Sequence, residues 1–338
     1  MGGAFMENKI RVLQIGSGHF GQSWLDVVTG FPDTELAGVV DVEPEHLVGA
    51  QQRTGLAADR CYTDADQAFA EVQADLVLIV TPPTTHKTLA LKALQAGFHV
   101  MLEKPLTQTY EEAVELLAAS RESGKQVMVS QNYRWRPAIQ TAKQLLASQA
   151  IGQVGYIEYS FRKAKHIGGW RERSPEIMLE DMSIHHFDII RYLLEKEAER
   201  VHAESFRPAW SWFTGNPSTQ VLIQFEHNVR VNYFASWVSR GKETTWNGDI
   251  RIVGEKGAVE IIDDRVRFTS ADEPPESEGT EVALLAMPFT ERAASLQDMV
   301  RAIRTGTPPL TSIEDNIHSF RLACAAIDSA TSGTTVVL

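Results

Sequence analysis

A glycine-rich turn between a predicted strand and a predicted helix constrains the fold of this chain more than any other feature. Residues 10–15 form a short apolar run, the next six read Gly-Ser-Gly-His-Phe-Gly, and residues 20–28 have helical periodicity. In such a unit the first glycine makes a tight turn, the second lets a pyrophosphate approach, and the third lets helix and strand pack closely. The alternative is a purely structural turn. The residues expected to bind a dinucleotide here are Gly16, Gly18, His19, Phe20 and Gly21.

Asp41 supports the dinucleotide interpretation independently. It ends the second predicted strand, residues 36–40, and lies twenty residues after Gly21. A carboxylate at this place accepts hydrogen bonds from the adenosine ribose and repels a 2′-phosphate. Glu43 adds negative charge nearby. The sequence therefore predicts NAD rather than NADP, the alternative being that Asp41 only caps a turn.

Apolar strands and helices then alternate as far as residue 130. The predicted strands are 76–80, 99–102 and 126–130, and the predicted helices are 45–53, 85–96 and 110–123. This alternation indicates βαβ units with right-handed crossovers and a parallel sheet covered on both faces. We therefore expect a doubly wound Rossmann domain over residues 6–130.

The pattern changes after residue 130. Strand-like runs follow one another with short turns at 200–206, 220–225, 229–238, 249–253, 258–262 and 265–269. A strand at 154–162 and helices at 138–148, 178–194, 291–304 and 312–330 complete the prediction. Successive strands with short turns favour antiparallel pairing. Residues 131–338 are therefore expected to form a second, α+β domain, as the length of 338 residues also suggests.

Charge and composition exclude several classes of protein. The net charge is −12 and no run of basic residues offsets it, which argues against binding to nucleic acid or an anionic membrane. We recognise no signal peptide and no apolar stretch of about 18 residues, so no transmembrane helix is expected. Two cysteines far apart in sequence suggest no disulfide framework. We therefore expect a cytoplasmic protein.

Several segments, in order along the chain, resemble the glucose–fructose oxidoreductase / inositol dehydrogenase / MocA (Gfo/Idh/MocA) family. They are Thr81-Pro82-Pro83-Thr84-Thr85-His86, residues 93–100, Glu103-Lys104-Pro105-Leu106, residues 132–138, residues 151–155, Trp170-Arg171 and residues 181–188. The resemblance implies a Rossmann domain, a second domain built on a large, mostly antiparallel sheet, and an active site between the two. It also implies a homodimer or homotetramer.

The resemblance assigns Lys104 to catalysis. It implies that this lysine hydrogen-bonds the reacting oxygen and assists proton transfer, and that Glu103 orients the lysine or binds near the nicotinamide ribose. The chemistry of lysine fits this role, because an ammonium group stabilises a developing alkoxide. Lys104 also follows a predicted parallel strand, and ligands in such sheets bind at the carboxyl ends of strands. The alternative is a surface lysine in a loop.

Asp181 and His185 form the second candidate catalytic pair. Four residues apart on a helix, they share one face, where a carboxylate orients an imidazole and favours its protonation. His185 is then a candidate general base, and the alternative is a surface ion pair. His186 points elsewhere and is expected in the core or an interface, whereas Asp188 is expected to have a structural role. Adjacent histidines diverge and familiar partner ligands are missing, so no metal site is expected.

Further residues are assigned by the resemblance to the cofactor or the substrate. Thr81, Pro82 and His86 follow the strand that ends near the nicotinamide, although His86 is equally well explained as a helix-start residue. The candidate substrate-binding residues are Trp170, Arg171 and Arg162. Trp237 is a weaker candidate.

One departure from the family pattern concerns the pocket. Many relatives carry a glycine pair shortly before the Asp181 position, where this chain has Glu-Ile-Met-Leu-Glu at residues 176–180. Ser183 also stands where glycine is frequent. We therefore expect an altered substrate pocket.

The leading hypothesis is an NAD(P)-dependent dehydrogenase that acts on CH–OH groups. It would transfer hydride between the nicotinamide and a secondary hydroxyl or ketone of a sugar, inositol or related polyol. Alternatives are a non-catalytic NAD-sensing regulator and a redox-assisted glycosidase. The presence of Lys104, Asp181 and His185 together disfavours the regulator.

Overall fold

The computed structural model describes residues 9–169 and 171–338. The predicted start of the first domain at residue 6 and the predicted substrate role of Trp170 lie outside the described residues. The chain forms two compact units. The first comprises residues 9–132 and 289–317, and the second comprises residues 133–288 and 318–338.

The first unit is built on a parallel sheet. Its described strands are β1 (Ile10–Ile15), β2 (Thr34–Val40), β3 (Cys61–Tyr62), β4 (Leu76–Ile79), β5 (His99–Leu102) and β6 (Val127–Val129). They lie in the order β3-β2-β1-β4-β5-β6, and each neighbouring pair is parallel. All four residues of β4 are buried, as expected of a strand covered on both faces. The prediction of a doubly wound sheet is confirmed.

Five helices, as far as the structure describes this part of the chain, connect these strands. They are α1 (His19–Gly30), α2 (Pro44–Thr54), α3 (Ala65–Glu71), α4 (His86–Gln95) and α5 (Tyr110–Ser123). Local sequence fixes their ends: Asp64 caps α3, Thr109 caps α5, and Gly124 in the left-handed region ends α5. The sequence does not predict β3 and α3, because two and seven residues are too few to show clear periodicity.

The C-terminal segment 289–317 corrects the predicted domain division, which assigned everything after residue 130 to the second domain. Helix α8 (Glu291–Thr305) packs on α1, and the rings of Phe289 and Phe31 lie 4.9 Å apart. Beyond α8, the Thr311 carbonyl accepts a hydrogen bond from the backbone N–H of Val129 in β6. The segment therefore covers the first unit. These contacts join residues far apart in sequence, which periodicity does not reveal.

The second unit contains a nine-stranded sheet, counted over the described residues. Its strands are β7 (Val154–Arg162), β8 (Ala198–Phe206), β9 (Ser218–Phe225), β10 (Arg230–Ser236), β11 (Asp249–Gly254), β12 (Gly257–Ile262), β13 (Arg265–Ser270), β14 (Thr280–Val282) and β15 (Val336–Val337). The order is β14-β13-β12-β11-β7-β10-β9-β8-β15. Only the β7–β10 pair among them is parallel. The predicted mostly antiparallel sheet is confirmed.

Side chains alternate between the two faces of this second sheet. In β10, Val231, Tyr233 and Ala235 are buried whereas Arg230 and Asn232 are exposed, as the pleat requires when one face is covered. The buried face carries the remaining helices of the unit: α6 (Pro137–Ala147) lies on β12 and β13, and a π-helical turn, Met178–Ser183, lies on β9 and β10. That turn leads directly into α7 (Ile184–Leu194), and α9 (Ile313–Ser332) runs from the first unit into the second.

The opposite face of the second sheet bears two shallow grooves. Tyr156, Arg200 and Leu222 line one of them, and Ser160, Phe234 and Ile262 line the other. Neither groove includes a candidate catalytic residue. Among the residues that the structure describes, no helix is long and apolar enough to cross a membrane.

Candidate active-site residues

The glycine turn lies at the carboxyl ends of β1 and β2. Gly16 has a φ of +95°, and a Cβ placed there would lie 2.4 Å from the Val80 carbonyl oxygen. A Cβ on Gly21 would lie 2.4 Å from the Gly16 carbonyl oxygen. At Gly18 the nearest atom to such a Cβ is 3.4 Å away, in the His46 ring. The protein itself therefore requires glycine at positions 16 and 21, whereas at Gly18 a Cβ would meet only ordinary contacts, so that glycine fits close approach by a ligand.

The N-terminus of α1 has the properties of an anion site. Gly18 is its N-cap, no side chain caps it, and its first turn carries no acidic residue. The first N–H groups of such a helix lack partners within the helix and attract phosphate. Phe20 in this turn is 52% exposed, and the Arg292 guanidinium lies 5.2 Å from its ring centroid. These features fit the pyrophosphate of a dinucleotide.

Asp41 is held in place by several protein donors. Its Oδ2 accepts hydrogen bonds from Ser17 N (2.6 Å) and Ser17 Oγ (3.1 Å), while Oδ1 accepts one from Glu43 N (3.0 Å) and lies 3.1 Å from His46 Nδ1. Burial alone would raise the pKa of Asp41, but these hydrogen bonds outweigh it and lower the pKa. The carboxylate is thus ionised and also orders the glycine turn. His46, missed by sequence analysis, lies five residues beyond Asp41 and borders both Asp41 and Gly18.

His86 begins α4, as the alternative to a place at the cofactor expected. Its ring is fully buried, with Nδ1 2.8 Å from the Pro105 carbonyl oxygen and Nε2 2.9 Å from the Thr81 carbonyl oxygen. Burial lowers the pKa of His86. Because both ring nitrogens face backbone carbonyls, the imidazole links the turn after β4 to the loop that carries Lys104. Thr81 is half-buried and Pro82 is exposed at that turn, and their role in cofactor binding stays a prediction.

Glu103 anchors the loop of Lys104. Its Oε1 accepts a hydrogen bond from Trp24 Nε1 (2.7 Å), and its Oε2 accepts one from the backbone N–H of Lys104 (3.2 Å). Burial raises the pKa of Glu103, against the lowering effects of Trp24 and Lys104. The carboxyl group thus fixes the main chain at Lys104, whose side chain is half-buried. Trp24 is not predicted from the sequence, because no local pattern connects it to Glu103.

Asp181 lies within the π-helical turn rather than on a regular α-helix, which corrects the predicted geometry of the Asp181–His185 pair. Ser183 Oγ donates to the Met178 carbonyl across this wide turn (2.9 Å) and lies 2.9 Å from the Tyr233 hydroxyl. The Asp181 side chain is 15% exposed, and Arg171 Nε donates to its Oδ2 at 3.3 Å. Isolated π-helical turns are frequent at functional sites.

His185 occupies the first turn of α7 and is 6% exposed. Its ring stacks on Tyr133, with centroids 4.2 Å apart and planes inclined by 9°. The Arg136 guanidinium lies 3.4 Å from the same Tyr133 centroid. Since His185 covers one face of that ring, Arg136 takes the other. Tyr133 thus holds the imidazole in a fixed plane. Tyr133 and Arg136 are not predicted as site residues, although both lie in the 132–138 segment that resembles the family.

His186 and Asp188 face the interior of the second unit. Burial lowers the pKa of His186 to about 3, and its Nδ1 lies 2.8 Å from the Tyr233 hydroxyl. Asp188 accepts hydrogen bonds from Arg134 Nε (2.7 Å), Arg134 Nη2 (2.6 Å) and Ser319 Oγ (2.7 Å). Both side chains are buried, so they support the helix that carries His185.

The predicted substrate residues lie in different environments. Arg171 contacts Asp181, as described above. Arg162, at the end of β7, forms an ion pair of 2.5 Å with Asp249. Trp237 is 2% exposed and packs edge-on against Phe161 and Trp246. Trp237 therefore belongs to the core.

The segment that departs from the family pattern directs its apolar side chains inward. Ile177, Met178 and Leu179 are buried. Glu176 accepts a hydrogen bond from Asn216 Nδ2 (2.8 Å), and Glu180 accepts one from Ser174 Oγ. These residues thus form the start of the π-helical turn, where the apolar side chains pack into the core and the two glutamates make polar contacts.

Comparisons with known proteins agree with this architecture. The chain is 29% identical over 341 residues to D-apiose dehydrogenase of Paraburkholderia graminis, covering 96% of this chain and 88% of that protein. It is 26% identical over 348 residues to scyllo-inositol 2-dehydrogenase (NAD(+)) of Bacillus subtilis, covering 98% and 97%. An oxidoreductase from Agrobacterium radiobacter, solved with NAD+, L-tartaric acid and magnesium, has the same fold, with a TM-score of 0.89, 23% identity and 98% coverage of both chains.

Two family models match consecutive parts of the chain. Residues 10–131 match an oxidoreductase family described as having an NAD-binding Rossmann fold, and residues 139–260 match the GFO/IDH/MocA C-terminal domain. The first match covers the glycine turn, Asp41 and Lys104, and the second covers Asp181 and His185. The chain therefore belongs to the glucose–fructose oxidoreductase / inositol dehydrogenase / MocA family of oxidoreductases, and its Rossmann domain binds NAD.

Proposed function

We propose that this protein transfers hydride between NAD and a secondary hydroxyl or ketone of a sugar, inositol or related polyol. The observation that carries the proposal is the carboxyl edge of the first sheet. There the glycine turn, Asp41, the Thr81 turn and the Lys104 loop follow β1, β2, β4 and β5 in turn. Ligands of open parallel sheets bind at this edge.

The chain supplies each element that a bound dinucleotide needs. The uncapped N-terminus of α1 would hold the pyrophosphate, and Gly18 leaves room for it. Asp41, kept ionised by its donors, would accept hydrogen bonds from the adenosine ribose and repel a 2′-phosphate. Thr81 and Pro82 line the turn where the nicotinamide would lie. When bound, NAD supplies the hydride acceptor.

Lys104 and His185 are proposed to handle the substrate's hydroxyl group. The ammonium of Lys104, on a loop anchored by Glu103 and His86, would hydrogen-bond the reacting oxygen and stabilise the charge that develops there. His185, fixed in plane by Tyr133, would accept the hydroxyl proton as general base. Asp181 would orient the substrate from the π-helical turn.

The test measures NADH formation by absorbance. Purified protein is incubated with NAD, and separately with NADP, across a panel of inositols, aldoses, anhydro-sugars and sugar acids. We expect turnover with NAD on one class of polyol. Lys104→Ala should lower kcat/KM by about 100-fold or more, as expected for loss of a group that assists proton transfer. Lys92→Ala is the matched control, because Lys92 is a surface lysine of α4 paired with Asp66.

Each remaining outcome argues against part of the proposal. Full activity in Lys104→Ala would remove this lysine from the mechanism. A sugar released without net NADH formation would indicate the redox-assisted glycosidase instead. Tight NAD binding without turnover of any compound would favour the NAD-sensing regulator.

A further inference from the structure

Positive charge is concentrated in one short segment of this acidic chain. Residues 162–173, here called the basic segment, contain five Lys or Arg residues and one acidic residue, Glu172, whereas the whole chain has a net charge of −12. The segment follows β7 and ends a few residues before the π-helical turn that carries Asp181. The local charge is therefore opposite in sign to that of the rest of the protein, next to candidate catalytic residues.

Carboxylates of the protein neutralise only part of this charge. Arg162 pairs with Asp249, Lys163 pairs with Glu243 at 3.1 Å, and Arg171 pairs with Asp181. His166 lies 3.6 Å from Glu172. Within the described part of the chain, no carboxylate lies within ion-pair distance of Lys165 or Arg173, and both side chains are exposed.

Two of the ammonium groups lie over the same aromatic ring. Lys163 Nζ is 5.4 Å and Lys165 Nζ is 5.1 Å from the centroid of Trp246. Glu243 forms an ion pair with Lys163 and also acts electrostatically on Lys165, so a single carboxylate serves both ammonium groups. An anion bound by these two ammonium groups would supply the second negative charge and gain charge-assisted hydrogen bonds.

The Trp246 site adjoins the helix of the candidate general base. The Trp246 carbonyl oxygen lies 3.3 Å from Nε2 of His186, the residue next to His185. Arg171 pairs with Asp181 at 3.3 Å in the π-helical turn that leads into α7. Basic side chains thus lie near the start of α7, with Arg171 at Asp181 and two lysines at Trp246. An aromatic face beside an ammonium suits a polyol that carries an anionic group, because the ring packs against C–H groups while the cation holds the charge.

We infer that the substrate is an anionic polyol, a sugar acid or a sugar phosphate, whose charged group is held by the basic segment and by Lys165 in particular. The inference rests on the proposed dehydrogenase function and narrows its substrate class. It distinguishes this chain from a dehydrogenase of neutral sugars through a feature that lies outside Lys104, Asp181 and His185.

The experiment compares matched pairs of compounds with NAD. D-glucose is measured against D-gluconate, D-glucuronate and D-glucose 6-phosphate, and the same series is prepared for galactose and mannose. We expect kcat/KM for an anionic member to exceed that of its neutral counterpart by about tenfold or more, as one charge-assisted contact allows. Lys165→Glu should lower the anionic-to-neutral ratio of kcat/KM by at least about tenfold. The carboxylate and phosphate arms show which anion is preferred.

Lys256→Glu is the matched control. It makes the same change of charge in the β11–β12 turn, at the end of the sheet opposite the basic segment, and should leave the ratio unchanged. Turnover that favours the neutral sugars, or a ratio unaffected by Lys165→Glu, would overturn the inference and leave the proposed function intact. No turnover of any compound, neutral or anionic, would overturn the proposed function and this inference with it.

Discussion

The two units hold their candidate site residues by different means. In the first unit, backbone groups and turns hold most of these residues in place. Glycine at positions 16 and 21 lets two stretches of main chain approach closely, and two backbone carbonyl oxygens contact the His86 ring. In the second unit, contacts between side chains far apart in the sequence hold the site residues in place. Arg134 binds Asp188, and Tyr133 stacks on His185.

This difference has consequences for stability and for activity. Backbone-built sites fail when a Cβ is added, because main chains have nowhere to move. Sites built from side chains fail when one member of a buried network is removed, because its partner is left unsatisfied. Substitutions in the two units should therefore produce different kinds of damage.

The largest effect is expected at Arg134. This side chain is 2% exposed and donates two hydrogen bonds to Asp188, which is 1% exposed. Arg134→Met would leave a buried carboxylate without its counter-ion and should lower the free energy of unfolding by about 3–5 kcal/mol. Denaturant titration measures this change in the free energy of unfolding. Arg265→Met is the control, since its pair with Glu281 is exposed and 3.9 Å long and should change stability little. Equal effects of the two would contradict the assigned role of the buried pair.

Two substitutions in the glycine turn should affect different properties, one the folding stability and the other the affinity for NAD. Gly21→Ala places a Cβ 2.4 Å from the Gly16 carbonyl oxygen and should cost about 1–3 kcal/mol of folding free energy. Gly18→Ala meets only ordinary contacts at 3.4 Å, so the fold should tolerate it, whereas NAD affinity should fall by about tenfold because the pyrophosphate loses its approach. Thermal unfolding and NAD titration test both variants. Unchanged NAD affinity in Gly18→Ala would contradict the proposed phosphate site.

Acid should act on the second unit through His186. Its pKa in the folded protein is about 3, against 6.5 for a solvent-exposed histidine of the unfolded chain. Between these values the unfolded state binds a proton that the native state does not, so stability falls as the pH falls from about 6.5 towards 3, by roughly one kcal/mol per pH unit. Unfolding midpoints between pH 7 and 5 should decline less steeply in His186→Gln than in the unsubstituted protein. Identical slopes would show that His186 does not carry this dependence.

The smallest effect is expected from Tyr133. Aromatic stacking contributes about 0.5–1.5 kcal/mol, so Tyr133→Leu should lower kcat several-fold, with NAD affinity unchanged. Tyr133→Phe keeps the ring and should restore most of the activity. A positioning role also predicts a changed pH profile of kcat in Tyr133→Leu, since the imidazole would lose its fixed plane. Loss of activity in Tyr133→Phe equal to that in Tyr133→Leu would instead assign the role to the hydroxyl group.

The sequence by itself determined the parallel sheet, the glycine turn, Asp41 and nearly every strand of the second sheet. These features depend on local properties: alternation of apolar residues, positive φ at Gly16 and proline at strand ends. The Lys104, Asp181 and His185 assignments came from the family resemblance, and their catalytic roles stay predictions.

Only the tertiary structure decided the contacts that make these residues usable. It brought α8 back onto α1, placed both nitrogens of His86 against carbonyl oxygens, widened the helix at Asp181 into a π-helical turn and stacked His185 on Tyr133. Each of these joins groups that no periodic pattern relates, because the free energy of such contacts depends on burial and packing across the fold rather than on neighbours in the chain.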